Sequence, residues 1–254
     1  MRKIMILIKI ISLLLIFSVA IAFSQETRVN PKDLKLKGGS EYFNSYIFQS
    51  NIRSGKSLGT LAEEHSTLGK NAISFGFAAK SEEARFFIMG GLYSETIAYL
   101  KSGKRELALK RLESIEKEFI NLNVPSSLYN YITKMRQMME SQKYSTEVLG
   151  EFLSLFQPFY EEYAKSKSED KLILFRAGSW LVDMSLTAAA GDNELLRQIE
   201  TLDYFNREMK RMDAPKGVMD GLEEITKIAE KKEITDRDAD RVLNLVKKIQ
   251  TILG

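Results

Sequence analysis

Residues 171–191 read KLILFRAGSWLVDMSLTAAAG, and they have a counterpart 88 positions earlier, residues 83–103, EARFFIMGGLYSETIAYLKSG. Each stretch is apolar on nearly every helical face, which marks a buried central helix rather than a surface one. Each carries one acid deep in its apolar run, Glu95 in the first and Asp183 in the second, at equivalent positions.

Eight segments follow one another in two sets of four. The first set is 82–102, 105–122, 127–142 and 146–166, and the second is 170–190, 193–212, 216–231 and 236–253. Ser81, Ser145 and Thr235 stand where N-caps are expected, Pro125 and Pro215 lie between helices, and Gly103 and Gly191 follow helix ends. Pro158 falls inside the fourth segment, where it removes a backbone hydrogen bond, so a kink or break is expected between residues 154 and 157. No run alternates β-branched with polar residues for long enough to suggest a strand.

The two sets align. Up to the glycine turn the offset is 88, pairing Phe87 with Phe175, Gly90 with Gly178, Glu95 with Asp183 and Gly103 with Gly191. From Leu109 onward it is 90, pairing Leu112 with Leu202, Ile115 with Phe205, Phe119 with Met209, Pro125 with Pro215, Phe156 with Val246 and Phe159 with Ile249. A two-residue insertion in a turn accounts for the change, since loops absorb length readily. The expected fold is all-α: an internally duplicated unit of four antiparallel helices, a double bundle or a short helical-repeat array. The tetratricopeptide period and its signature residues are absent.

The N-terminus reads as a signal peptide over 1–24. Arg2, Lys3 and Lys9 supply a positive start, residues 10–23 are uncharged and apolar, and small residues suit cleavage after Ala22 or Ser24. The alternative is an uncleaved membrane anchor, for which the run after Lys9 is short of the ~20 residues a spanning helix needs. Either way the remainder is expected outside the cytoplasm, periplasmic or extracellular, without stable membrane insertion once the signal is removed. Residues 25–40 read as a flexible leader and 41–254 as a single all-α domain. Within it 41–81 hold N-terminal helices (an aromatic one at 41–53, a longer one at 58–79), 82–167 the first repeat and 168–254 the second.

The chain has 37 basic and 34 acidic residues, and losing Arg2, Lys3 and Lys9 with the signal leaves 34 of each. A neutral mature chain gives no ground for nucleic-acid binding. There are no cysteines, so disulfides, thiolate metal sites and a lipidated cysteine are excluded.

Glu95 and Asp183 are the sharpest chemical features. A carboxylate in an apolar helix is costly unless paired or protonated. If a pseudo-two-fold relates the halves, the two acids could meet and act as general acid and base. The structural alternative is that each is satisfied by Arg176, Arg85, a tyrosine hydroxyl or a helix end. Arg176 and Asp183 lie ~10 Å apart along one helix, so each is expected to reach a neighbouring helix instead. His65, the one histidine, cannot form a metal site with the adjacent Glu63 and Glu64, which point to other faces. The methionines Met135, Met139, Met184 and Met209 align with ordinary hydrophobes or fill apolar helix faces, so they read as core.

The aromatics Tyr93, Trp180 and Tyr160, with Tyr99, Phe156, Phe159 and Tyr163, are core by spacing, or line a pocket for an apolar ligand. The reading is therefore an exported, non-catalytic helical protein that binds a protein or a small apolar or aromatic ligand in a groove between repeats, with Tyr93, Trp180 and Tyr160 as candidate groove residues. No cofactor and no metal are expected. The alternatives are an enzyme using Glu95 and Asp183 in a cleft between the repeats, with Arg176 as a further buried polar group, and a structural component of the cell envelope.

Overall fold

The computed structural model describes residues 81–254 with the exception of residue 192, and all of them fall within one unit of the chain. The expected signal peptide, leader and N-terminal helices, and His65, lie outside the described residues. What is described is helical, with no strand among the described residues. The helices are α1 (Glu82–Lys101), α2 (Arg105–Asn121), α3 (Ser126–Glu140), α4 (Thr146–Ser154), α5 (Gln157–Lys167), α6 (Glu169–Ala190), α7 (Ile199–Arg211), α8 (Lys216–Ala229) and α9 (Asp236–Leu253), with a 3₁₀ turn at Asn193–Leu196 between α6 and α7.

The two apolar stretches form α1 and α6, and these pack on each other more extensively than any other pair. Every residue of α1 from Phe86 to Leu100 is buried, as is almost all of α6 from Leu172 to Ala190. Burial on all sides explains why neither helix shows a polar face. Helix α6 is also long and apolar enough to cross a membrane, but 89% of its most apolar window is buried inside the chain.

Two glycines set how closely these helices cross. A Cβ on Gly90 would lie 1.9 Å from the carbonyl oxygen of Phe175, and a Cβ on Gly178 would lie 1.9 Å from that of Phe87. The backbones therefore touch, at a separation that only glycine permits. The contact is reciprocal: Gly90 meets Phe175 as Gly178 meets Phe87.

The other helices form a shell. Helices α2 and α4 pack on α1, α5 and α9 pack on α6, α3 packs on α2, and α8 packs on α7 and α9. Local chemistry starts and stops them. The hydroxyls of Ser81, Ser145, Ser168 and Thr235 accept backbone N–H bonds at 3.1–3.3 Å at the starts of α1, α4, α6 and α9. At Thr235 the Asp238 carboxylate reaches back to complete a capping box. Helices α2 and α7 end alike. Asn123 and Asp213 are left-handed, with φ of 50° and 53°. The next N–H, of Val124 or Ala214, then reaches back to the carbonyl of Phe119 or Met209 at 3.0 and 2.9 Å. This is the Schellman arrangement.

Two expected segments are divided. The one expected at 146–166 is two helices, α4 and α5, separated at Leu155 and Phe156, with Pro158 in the first turn of α5. The segment expected to start at 193 opens as a 3₁₀ turn, and the regular helix begins at Ile199.

Candidate functional site

The two inward acids are both 1% exposed, but they are satisfied in different ways. Arg111 lies on the buried face of α2 with Ala108, Leu112 and Ile115, and its Nε donates to Glu95 Oε2 at 2.5 Å. Its guanidinium also lies 5.6 Å from the centre of the Tyr99 ring. Burial alone would pull the Arg111 pKa down, but the Glu95 carboxylate and Tyr99 outweigh it and hold it above its ordinary value. Glu95 and Arg111 form a charge pair closed off from solvent.

Among the described residues Asp183 has no such cation. Ninety residues after Arg111, at the offset that aligns the two sets in the sequence, stands Thr201, a buried residue without charge. Burial pushes the Asp183 carboxyl well above the usual carboxylate range, and a hydrogen bond with Ser94 offsets this only in part. Among the described residues its Oδ2 has no hydrogen-bond partner. Ser94 is also 2.7 Å from the Ser179 hydroxyl on α6, so a small polar chain bridges the two central helices. The neutral acid is the form such surroundings favour.

Arg176 reaches across to α5, where its Nε and Nη2 donate to Glu161 Oε2 at 3.1 and 2.8 Å. Gln157 donates to the other Glu161 oxygen at 3.1 Å. This pair forms one wall of a cleft of about 370 Å³ between α5 and α6, which Pro158, Glu162, Lys165, Glu169 and Leu172 complete. Neither Glu95 nor Asp183 lines it.

The candidate groove aromatics are core rings. Tyr93 donates its hydroxyl to the Leu153 carbonyl at 2.7 Å and meets Tyr160 edge-on at 5.6 Å. Tyr160 meets Phe119 in the same way at 5.4 Å. Trp180 stacks on Phe205 at 4.6 Å and donates its indole N–H to Gln198 at 2.8 Å. All three are buried. Each of these rings is enclosed by the side chains of its neighbouring helices, so none of the three lines an open groove. Among the described residues no group of three or more histidine, cysteine, aspartate or glutamate side chains could hold a metal ion.

Aromatic surface appears elsewhere. Tyr131 on α3 lies 4.7 Å from the Phe156 ring and 6.1 Å from the Phe159 ring, and Phe156 and Phe159 are 6.2 Å apart. Tyr131 is 37% exposed, Phe159 47%, and the neighbouring Leu155 55%. The three rings meet where α3 passes the break between α4 and α5. The signal in the sequence was Pro158: breaking the helix there turns Phe156 and Phe159 away from the buried positions that Val246 and Ile249 occupy in unbroken α9. Arg111 was also detectable, as a charge flanked at helical spacing by Ala108 and Ile115.

Comparison of the chain with protein-family models, curated proteins and solved structures returns no match in any of the three.

Proposed function

We propose that the chain is an exported, non-catalytic helical protein built from a duplicated four-helix unit, and that it acts by protein contact through the aromatic surface at Tyr131, Leu155, Phe156 and Phe159. The observation that carries this reading is the contrast in exposure. The acids that could do chemistry are sealed, while Tyr131 and Phe159 meet Phe156 at the surface and Leu155, next in sequence to Phe156, is exposed. Exposed apolar patches of this kind mark interaction sites more often than scattered single residues do. Large aromatic rings are also the side chains that dominate binding energy at protein interfaces.

The duplication is supported by matched detail at the sequence offsets. The central glycines touch reciprocally, and the left-handed residues Gly103 and Gly191 share φ values of 75° and 73°. Pro125 and Pro215 cap α3 and α8 with nearly identical backbone angles. Export rests on the N-terminal sequence. Its test is N-terminal sequencing of the protein recovered outside the cytoplasm, with cleavage expected after Ala22 or Ser24.

The contact surface is tested by placing a photo-reactive amino acid in place of Phe159, and separately in place of Lys216, whose side chain is 86% exposed on α8. Irradiation in the living cell is expected to give protein adducts at 159 and none at 216. Equal yields at both positions, or none at 159, would reject the aromatic surface as the contact site.

A further inference from the structure

We propose that a second copy of this chain docks on the Tyr131–Phe156–Phe159 face, forming a two-fold dimer; this rests on the contact-surface reading above and names its partner.

The two halves carry the same seam in two states. In the second half, α9 lies tightly on α8: a Cβ on Gly221 would come within 2.9 Å of Ile249, and Val246 and Ile249 are fully buried. Gly221 and Ile249 correspond to Tyr131 and Phe159 at the offset of 90. The equivalent pair in the first half is again in contact, but a tyrosine replaces the glycine and Pro158 breaks the helix opposite it. A tyrosine ring cannot fit where a glycine lets two helices close, so the first-half seam stays open with its rings at the surface. The sequence thus places an apolar cluster where the other half has a closed helix pair.

Charge identifies what covers it. Lys134 lies one turn after Tyr131 on α3, and Glu162 lies one turn after Phe159 on α5, so each shares its helix face with a ring of the cluster. Both are exposed, and neither forms an ion pair within the described residues. The cluster is therefore flanked by a cation on one helix and an anion on the other. In a two-fold interface each contact between different residues occurs twice. An axis through the rings sets Lys134 of one copy against Glu162 of the other, and the reverse. The face is complementary to itself. The rings supply the binding energy and the two rim pairs fix the register.

The test is sedimentation equilibrium of the full chain as purified from its host, with thermal melts to check folding. A concentration-dependent dimer is expected. Phe159→Glu should weaken it at least about tenfold, as loss of a central aromatic anchor does. Lys134→Glu should weaken it about threefold or more, since two rim pairs turn repulsive. Lys134→Glu combined with Glu162→Lys should restore association to within about twofold of wild type, because the reciprocal pairs are rebuilt with opposite polarity. If Phe159→Glu fails to fold, the charge-reversal series carries the test alone. A chain that stays monomeric up to ~200 µM overturns the proposal, as that leaves no self-affinity of biological weight. So does a dimer indifferent to Lys134→Glu, or a double variant that fails to recover. A monomeric chain that still gives adducts to a different protein at position 159 would sink self-association alone and leave the contact surface standing.

Discussion

The guanidinium of Arg111 donates to Glu95 across a 2.5 Å contact in which the two side chains are 5% and 1% exposed. An acid in the middle of an all-apolar helix is tolerated because a second helix delivers a cation to it. Coulomb attraction in a poorly solvated interior then offsets two desolvation costs, and the pair adds little net stability over an apolar replacement. Removing one partner is another matter. Arg111→Met leaves a buried carboxylate without its cation and should cost about 3–5 kcal/mol. The double variant Glu95→Met with Arg111→Met should recover most of that loss. Urea unfolding of the three proteins checks the expectation, and a double variant no better than Arg111→Met would contradict it.

Asp183 predicts a pH dependence. Its folded pKa lies well above the unfolded value, so the folded state holds a proton that the unfolded state releases. Stability therefore falls as pH rises from about 4, the unfolded carboxylate value, toward the raised folded pKa. Asp238 works in the opposite sense. The Lys231 ammonium, first among its partners, and the Thr235 cap hold it down at about 2. Its contribution is complete above its unfolded value and is lost only as pH drops toward 2. Between pH 4.5 and 7.5 Asp183 therefore contributes a fall in stability as pH rises, while Asp238 contributes none. Asp183→Asn, which keeps a neutral polar group beside Ser94, should raise the urea midpoint at pH 7.5 and flatten the slope over that range. An unchanged slope would mean that Asp183 does not titrate there.

The reciprocal glycine contact gives a third expectation. Gly90→Ala and Gly178→Ala each push a methyl group into a carbonyl of the opposing helix, and backbone cannot rotate away as a side chain can. Each should cost at least about 3 kcal/mol, the upper end of ordinary overpacking. The two losses should agree within about 1 kcal/mol, because each glycine faces the same kind of atom. Once one alanine has forced the helices apart, the second has room, so the double variant should lose less than the sum. Additive losses would show that the two contacts are independent.

These central helices were legible because a run of apolar residues on every face has few other places to go. The caps at Ser81, Ser145 and Thr235 were legible too, since a hydroxyl at a helix start satisfies its backbone donors locally. What sequence could not supply was the partner of each acid. Glu95 and Asp183 align at the sequence offset of 88, yet Arg111 reaches Glu95 while the partner of Asp183 is the Ser94 hydroxyl. That difference depends on side chains distant in sequence. The aromatics, read as core by spacing or as pocket-lining, could not be sorted from sequence for a related reason. Tyr160 and Phe159 both lie within two residues of Pro158, yet Tyr160 is buried and Phe159 exposed, because the turn of α5 points them to different sides, which spacing alone does not reveal.

A fourth expectation concerns the helix ends. Gln142, Asp213 and Asn123 follow the ends of α3, α7 and α2 with φ between 50° and 54°, in the left-handed region, and all three are exposed. A side chain with a Cβ meets its own carbonyl there at a cost of roughly 1–2 kcal/mol, which asparagine lessens through local hydrogen bonding. Glycine removes the clash but gives back part of the gain through a more flexible unfolded chain. Net stabilisation of about 0.5–1 kcal/mol is expected for Gln142→Gly and Asp213→Gly, and less for Asn123→Gly. Asp213 has a further reason to gain, because its carboxylate sits at the negative end of the α7 dipole. Thermal melts at two salt concentrations separate the contributions. The dipole part of the Asp213→Gly gain should shrink as salt rises, while the gain at Gln142, which has only backbone strain to relieve, should not change.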